Sequence, residues 1–424
     1  MVVALVQRPI SDVRPPGSPA AGRPTAREAI VHRVVAASDG ASGLAGKRIV
    51  WVLPGEALGG AERNALDLGA RLVGQEGASV EICALSDRPG RGRQIAAESG
   101  IGWHPVPFDW SGGRRRKLIG LLRVAVAIRR LRPDVLVSST NLPNIVCGFV
   151  RPLTGARQWA WVQCDVLGTE RVRKGTFEWL LRRATLVVTG AHQVADWLVD
   201  ELGADRGRIC VIYSEVRLAA PLEGRDAWRE RLGLGPPDLG VCMLGHLHAR
   251  KDHATLLRAW RHVVDELGGD GIRAVLVLAG RPAGSEDALK ALAYDLDLRE
   301  HLVFVGDVVD VGGLLGAVDL AVFSSRSEGL GRGATEPMAA GLAVAGTDVA
   351  GIREAVGPDG VRFLAAPGDA RGLADAMLAL LRDPALRREV GAANAELIRR
   401  RQSAESTTDR FVDVLSTTAN GHRE

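Results

Sequence analysis

The sequence of 424 residues predicts an α/β protein built from two Rossmann-like domains with parallel sheets. Short apolar runs alternate with segments of helical composition, which is typical of parallel strands joined by crossover helices. The second half repeats the pattern of the first, and the periodicity breaks between them at residues 216–225, where Pro221 and Gly224 stand. Two such domains would face each other across a cleft, where ligands bind at the carboxyl ends of the strands.

The first half contains seven strand candidates, each a short apolar run next to polar or turn-forming residues. They are Arg48–Leu53, Ser79–Leu85, Ile101–Val106, Asp134–Ser138, Gln158–Val162, Thr185–Thr189 and Arg208–Tyr213. A glycine turn follows the first run, and a helix is predicted from Ala61 to about Gly74.

The second half contains six strand candidates, the last with a weaker apolar pattern than the others. They are Gly240–Leu244, Ala274–Ala279, Leu302–Val305, Leu320–Phe323, Ala343–Ala345 and Arg362–Leu364. Helices are predicted at about Ala254–Leu267, Ser285–Leu296 and Ala334–Ala340, and a closing helix at Ala404–Leu415.

Residues 1–46 are predicted to form a disordered leader, because Arg8–Gly46 is rich in Pro, Gly, Ala and Arg and has no steady period. The apolar start Met1–Val6 is too short for the core of a signal peptide. No apolar run approaches the roughly 20 residues of a membrane-spanning helix. The sequence therefore predicts a cytoplasmic protein.

The charge balance gives no sign of a nucleic-acid partner, since the net charge is only +4. The five cysteines are scattered, and no pair has the spacing of metal ligands. An Asp-x-Asp motif at a strand end is also missing. We therefore expect a metal-independent protein that binds no nucleic acid.

The most informative segment is Ser325–Gly341, in which Glu328 and Glu336 bracket a glycine-rich turn. An apolar run precedes the turn and helical composition follows it. A strand, a tight turn and a helix start in this order direct backbone N–H groups and the positive end of a helix dipole at one point, which suits a phosphate. A bound pyrophosphate with a carboxylate on each side describes a nucleotide-sugar site.

This segment resembles the E-x7-E signature of retaining glycosyltransferases of the GT-B fold, specifically those of family 4. Five further segments resemble motifs of that family and follow in its order. They are Leu58–Arg63, Leu244–Leu247 with Lys251, Ala274–Gly280, Thr347–Glu354 and Pro367–Asp369. The resemblance covers roughly residues 47–400. It implies an acceptor domain at 47–216, a nucleotide-sugar domain at 225–400, and a C-terminal helix and tail at 401–424 that cross back to the first domain.

The resemblance assigns Lys251 to the donor phosphates, where fixed positive charge would stabilise the departing diphosphate. The family usually has an arginine directly after Gly245, but this chain has His246, whose neutral ring carries less charge than a guanidinium. Arg250 in the same loop could compensate. The alternative is that His248, Arg250 and Lys251 form a solvated loop.

In the same resemblance, Glu336 holds the ribose hydroxyls and Glu328 lies near the donor sugar, because a carboxylate accepts hydrogen bonds from two hydroxyl groups. Gly329, Leu330 and Gly331 would supply backbone contacts to the donor. The alternative is that the two acids only cap a helix. We predict that Lys251→Ala and Glu336→Ala each reduce transfer severely while the fold stays intact.

Three further positions follow from the resemblance. Gly280 should lie at the cleft, and Arg281 after it either contacts phosphate or is exposed to solvent. Gly59 and Gly60 would let the donor phosphate approach the first domain, or form a plain turn before a helix. Asp165 is the candidate acceptor-side acid, or an acid in a solvated loop.

The segment Arg114–Arg132 is basic and amphipathic, so it could lie on an anionic membrane. The alternative is a crossover helix that packs on the first sheet.

Together these features predict a retaining glycosyltransferase with a nucleotide-sugar co-substrate, a UDP- or GDP-sugar, and no other cofactor. The predicted acceptor is a lipid-linked or surface-polysaccharide glycan at the inner face of a bacterial plasma membrane. A soluble small-molecule acceptor remains open within this class. Outside it, a nucleotide-sugar 2-epimerase and a degenerate binding subunit remain open, the latter because of His246.

Overall fold

The computed structural model describes residues 43–55, 60–88, 90–164, 166, 174–216, 218–282, 284–402 and 404–420. Nearly all of the predicted leader, and the predicted site residues Gly59 and Asp165, lie outside the described residues.

The described residues form thirteen strands in two sheets, and every pairing is parallel. The strands are β1 (Arg48–Leu53), β2 (Ser79–Ala84), β3 (Gly102–Pro105), β4 (Val135–Ser139), β5 (Gln158–Gln163), β6 (Leu186–Thr189), β7 (Ile209–Val211), β8 (Leu239–Leu244), β9 (Ala274–Ala279), β10 (Leu302–Gly306), β11 (Leu320–Phe323), β12 (Val344–Thr347) and β13 (Leu364–Ala365). The first sheet has the order β3-β2-β1-β4-β5-β6-β7 and the second β10-β9-β8-β11-β12-β13. The predicted fold of two Rossmann-like parallel-sheet domains is confirmed.

Each predicted strand is present with ends that differ by at most two residues, except the last. The prediction at Arg362–Leu364 is wrong for its first two residues, because Val361–Phe363 form a 3₁₀ turn and β13 begins only at Leu364.

The helices that connect the strands are α1 (Gly60–Gly74), α2 (Gly92–Glu98), α3 (Arg114–Arg130), α4 (Asn141–Thr154), α5 (Lys174–Arg182), α6 (His192–Leu202), α7 (Arg225–Arg231), α8 (His253–Gly269), α9 (Glu286–Asp295), α10 (Val311–Ala317), α11 (Arg332–Ala339), α12 (Ala350–Gly360), α13 (Ala370–Leu381), α14 (Pro384–Arg401) and α15 (Ala404–Asn420). They cover both faces of each sheet, because successive strand residues point to opposite sides. In β1, for example, Trp51 belongs to one buried cluster, and Val50 and Val52 to the cluster on the other face.

The chain passes between the two sheets twice. After β7 it enters a linker, which Asp310 holds by accepting hydrogen bonds from the backbone N–H groups of Leu222 (3.0 Å) and Glu223 (3.1 Å). At the end of the chain α15 returns to the first sheet, where the Phe411 ring stacks on Trp51 with 5.6 Å between centroids. This return lies where the family resemblance implies it.

The helix α3 packs on the first sheet through Val124, Ala125 and Ile128, which are buried, as the crossover alternative predicted. Its other face exposes Leu118 (60%) and Ile119 (58%). Among the described helices, none combines the length and apolarity needed to span a membrane.

Candidate active site

A cavity of about 940 Å³ is lined by the start of α1, by the carboxyl ends of first-sheet strands, and by the turns after β8, β9 and β11. Ten of the twelve predicted site residues line it; the other two are Gly59 and Asp165, outside the described residues. The ten are Gly60, His246, Arg250, Lys251, Gly280, Glu328, Gly329, Leu330, Gly331 and Glu336. The topology therefore brings together residues that are up to 276 positions apart in the chain.

An ion pair between Lys251 and Glu328 lies at this cavity, with 2.5 Å between Lys251 Nζ and Glu328 Oε1. Both side chains are largely buried, with exposed fractions of 16% and 10%. Ser325 Oγ donates to the same carboxylate oxygen at 2.7 Å. The second oxygen, Oε2, lies beside Gly331, where an added Cβ would be 3.3 Å from it. The carboxylate is thus held through one oxygen, with the other against the glycine turn.

The loops that carry Lys251 and Glu328 are tied together by backbone and side-chain hydrogen bonds. Ser324 Oγ donates to the Lys251 carbonyl at 2.8 Å, and the Arg326 N–H donates to the Arg250 carbonyl at 2.9 Å. Arg326 Nε also donates to Asp252 Oδ2 at 2.9 Å. Since several bonds fix each loop against the other, the distance between the paired charges is set by the fold.

Three turns converge so closely that glycine is required at two positions. An added Cβ at Gly280 would lie 2.0 Å from the Gly245 carbonyl oxygen, and one at Gly333 would lie 2.6 Å from the Leu244 carbonyl oxygen. Both are backbone contacts that cannot yield as the end of a side chain can. Backbone therefore crowds this part of the cavity, with the N-terminus of α11 beside it.

His246 offers a neutral ring to the cavity. Burial, followed by the nearby Arg281 guanidinium, lowers the pKa of His246. Arg281 Nη2 lies 3.3 Å from His246 Nε2, so the guanidinium donates to the ring nitrogen. Arg281 is half-buried and contacts the His246 ring from the neighbouring turn, so it is not a freely solvated side chain.

Several cavity residues were not among the predicted site residues. Asn64 and Asp67 line the cavity from α1, and Arg63 pairs with Asp67 at 3.0 Å. Asn64 and Asp67 are three positions apart, and Arg63 and Asp67 are four apart. On a predicted helix, this spacing indicates that the side chains lie on one face. Thr140, directly after β4, also lines the cavity and has a φ of 73°. A positive φ is rare for a β-branched residue, so nothing in the sequence indicates this conformation.

The described residues contain no group of three or more His, Cys, Asp or Glu side chains that could hold a metal ion.

Two family models match the chain. Residues 58–219 match the model described as Glycosyltransferase Family 4, and residues 224–397 match the model described as Glycosyl transferases group 1. The matched segments contain the first and second sheets except for β1.

Three curated relatives illustrate the sequence similarity. A D-inositol 3-phosphate glycosyltransferase of Streptomyces avermitilis is 29% identical over 247 residues, 56% of this chain and 53% of the relative. A 2-deoxystreptamine glucosyltransferase of Streptomyces kanamyceticus is 32% identical over 216 residues, 49% and 54% of the two chains. A phosphatidyl-myo-inositol mannosyltransferase of Mycobacterium leprae is 31% identical over 244 residues, 55% and 60%. The chain thus spans between half and three fifths of the length of these relatives.

The fold is similar to that of solved structures. The Anabaena protein HepE, solved in complex with UDP and glucose, superposes with a TM-score of 0.74 over 88% of this chain and 100% of HepE, at 18% sequence identity. At this identity the likeness concerns the fold alone.

Proposed function

Because the chain belongs to the family 4 glycosyltransferases of the GT-B fold, we propose that it transfers a sugar from a nucleotide-diphosphate sugar to a lipid-linked or surface-polysaccharide glycan. We propose further that the transfer retains the anomeric configuration and requires no metal. The observation that carries the proposal is the buried Lys251–Glu328 pair, beside glycine turns, in a cavity lined from both sheets.

The donor diphosphate would lie against Lys251 and the N-terminus of α11. As the bond between the sugar carbon and the phosphate oxygen breaks, negative charge grows on that oxygen. A cation held in a largely buried site stabilises such charge more than it would in water. Arg250 and Arg281 add positive charge from two neighbouring turns.

The two carboxylates would bind hydroxyl groups of the donor. Glu328 Oε1 is occupied by Lys251 and Ser325, so Oε2 is the oxygen that faces a donor sugar hydroxyl. Glu336, one turn into α11 at the same cavity, would accept hydrogen bonds from the ribose hydroxyls. A nucleotide-sugar with UDP or GDP is the proposed donor.

Retention follows from the resemblance to the family. The acceptor oxygen attacks the sugar carbon on the face that the phosphate leaves, a carbon–oxygen bond forms as the other breaks, and the acceptor proton passes to the departing phosphate oxygen. In this scheme the chain supplies no covalent nucleophile, and its residues position the two reactants.

The names of two relatives support a phosphorylated or lipid-linked acceptor, because one names inositol 3-phosphate and the other phosphatidyl-myo-inositol. A soluble small-molecule acceptor is the second candidate, because the relative from S. kanamyceticus is named for 2-deoxystreptamine.

For a lipid-linked acceptor, we propose that α3 touches the membrane surface. Its exposed face carries Leu118, Ile119, Leu122 and Val126, whose side chains are 48–60% exposed. Arginines flank these residues at positions 114–116, 123, 129 and 130, all exposed. A basic and apolar face of this kind binds anionic lipid by charge and by burial of apolar surface.

The donor is tested first by thermal shift with UDP-, GDP-, ADP- and dTDP-sugars in the presence of EDTA. A ligand that binds only the folded state raises the melting temperature. We expect one nucleotide class to do so at millimolar concentration. Incubation of that donor with membrane extract should then give a glycosylated lipid. Release of a free isomerised nucleotide sugar without acceptor would favour a 2-epimerase, and no shift with any donor would favour a degenerate subunit.

The membrane contact is tested by sedimentation with vesicles. The double variant Leu118→Ser/Ile119→Ser should bind anionic vesicles more weakly than the wild type. The matched control is Tyr294→Ser, which removes a side chain of similar exposure (65%) from the second domain. Equal binding by all three proteins would contradict the proposal.

A further inference from the structure

The helix α6 of the first domain has its N-terminus capped by a residue of the second domain. Its own N-cap residue, Ala191, has no side chain that can accept a hydrogen bond. Instead the Glu354 carboxylate of α12 accepts hydrogen bonds from the backbone N–H groups of His192 (2.8 Å) and Gln193 (3.1 Å). A carboxylate at this position satisfies two otherwise unbonded N–H groups and complements the helix dipole.

Glu354 is itself held from two sides. The Tyr213 hydroxyl donates to Glu354 Oε1 at 2.8 Å, and Arg401 Nη1 donates to the Glu354 carbonyl at 3.0 Å. Burial, together with the hydrogen bond to this carboxylate, raises the pKa of Tyr213, so the phenol stays protonated and continues to donate. The carboxylate therefore has a fixed orientation toward α6.

The side chain of Gln193, in the first turn of α6, reaches the loop that carries Glu328. Gln193 Nε2 donates to the backbone carbonyl of Glu328 at 2.7 Å and also to that of Gly329. Gly351, in the first turn of α12, makes room for this contact: an added Cβ there would lie 1.9 Å from the Gly329 carbonyl oxygen and 2.5 Å from Gln193 Nε2. One short segment of α6 thus bonds to Glu354 through its backbone and to the loop of Glu328 through its side chain.

We infer that these contacts form an interdomain latch, made of Gln193, Glu354 and the carbonyl groups of Glu328 and Gly329, that sets the position of Glu328 when the domains close. Its catalytic consequence rests on the proposed function. The latch joins α6 to the loop whose carboxylate holds Lys251, so loss of the latch frees that loop on its first-domain side. Gln193 and Glu354 are positioning residues, and neither lines the cavity among the described residues.

The latch can be tested without any activity by hydrogen exchange. In Glu354→Ala, the amides of His192 and Gln193 and the segment 326–331 should exchange at least about tenfold faster, as expected when charge-assisted hydrogen bonds are lost. The matched control is Asp383→Ala. Asp383 caps α14 within one domain by the same chemistry, with bonds of 2.9 Å from the N–H groups of Ala385 and Leu386. It should lower the melting temperature without changing exchange in 326–331.

The positioning role is tested with the donor and acceptor in hand. Gln193→Met keeps the length of the side chain but cannot donate. It should lower kcat by about ten- to a hundredfold, the effect of a small misplacement in an active site, with the donor KM within about threefold of wild type. Glu354→Gln, which still accepts hydrogen bonds, should recover much of the loss seen in Glu354→Ala.

The outcomes separate the latch from the proposed function. If 326–331 exchange at the wild-type rate in both Glu354→Ala and Gln193→Met, the latch is refuted whatever the activity. If exchange rises but no donor supports transfer, the latch stands and the proposed function fails. If kcat is unchanged while exchange rises, Gln193 and Glu354 only join the domains, and the positioning role is refuted.

Discussion

At the scale of single residues, the Lys251–Glu328 pair places two opposite charges next to each other in a largely buried site. Removing an ammonium from water is costly, and a carboxylate 2.5 Å away offsets that cost. The same carboxylate leaves one oxygen for a ligand. In the proposed function, the pair would keep positive charge ready for a leaving phosphate.

We predict that Lys251→Met lowers kcat by about 10²–10³-fold, since it removes a preorganised charge at the leaving group. The variant also removes the ion-pair partner of Glu328, so the melting temperature of the variant checks that the loss does not come from misfolding. Lys174→Met is the matched control, because Lys174 pairs with Glu201 at 3.4 Å on the exposed surface. Steady-state kinetics measures kcat, and circular dichroism shows whether the variant is folded. A kcat for Lys251→Met within threefold of wild type would contradict a role of Lys251 in the reaction.

A second prediction concerns which residue, His246 or Arg281, supplies positive charge to the nucleotide diphosphate. We expect Arg281→Ala to weaken nucleotide-diphosphate binding by about tenfold, the value of one charge-assisted hydrogen bond. In that background, His246→Arg should restore affinity by returning a guanidinium to the position where the family carries one. Arg299→Ala, at an exposed site of the same domain, should change nothing. Calorimetric titration measures all four proteins, and full affinity in Arg281→Ala would refute the compensation.

At the scale of helices and strands, α8 begins with a histidine in an unusual state. His253 is 2% exposed, and burial, followed by the charge of Lys251, lowers its pKa to about 4. Between pH 4 and the ordinary value near 6.5 the unfolded chain binds more protons at this residue than the folded chain. The contribution of His253 to the free energy of unfolding therefore rises with pH across this window. The same contribution is lost as the pH falls through the window.

From this linkage we predict that the second domain loses about 2 kcal/mol of stability from His253 alone between pH 7 and pH 5. His253→Leu should remove that part of the acid sensitivity. His262→Leu, on the same helix and half-buried, should keep it. Urea unfolding at the two pH values measures the difference, and identical acid losses in the wild type and His253→Leu would contradict the assignment.

The strands were predictable because most of them are buried apolar runs of limited length, a signal that does not depend on distant residues. Helices were less predictable where proline or glycine interrupts the pattern: α4 contains Pro152, and α12 contains Gly357 with φ 69°. The strand β13 has only two residues and pairs with β12, so its register depends on the rest of the sheet.

The candidate site was partly predictable for a related reason. The residues of the second domain lie within short motifs, and ten predicted positions do line one cavity. Contacts between the domains carried no local signal. Gln193 and Glu354 are 161 residues apart, and nothing near either of them indicates that they meet.

At the scale of the whole molecule, α15 fastens the end of the chain to the first domain. Phe411 (2% exposed) stacks on Trp51 (1% exposed), whose Nε1 donates to Ser139 at the end of β4. The helix α15 is therefore part of the hydrophobic core of the first domain.

We predict that Phe411→Ala destabilises the first domain by about 3–5 kcal/mol, the usual cost of deleting a buried phenyl ring. Because the chain has two domains, calorimetry should resolve the loss as a lower transition temperature for one of them. Phe363→Ala, in the core of the second sheet, should affect the other transition. If both variants shift the same transition, the two domains unfold as one unit and this assignment fails.

The two places where the chain crosses between the domains lie side by side. The N–H of Val216 in the linker donates to the carbonyl of Gln402 at 3.4 Å, and Thr407 Oγ1 donates to the Tyr213 carbonyl at 3.0 Å. Ser214 and Gln402, one beside each crossing, both line the cavity, so the covalent connections between the domains stand at its edge. In the proposed transfer, the donor and the acceptor would therefore enter from the rim of the cavity away from these two crossings, and a long glycan would extend outward there while its last sugar is at the site.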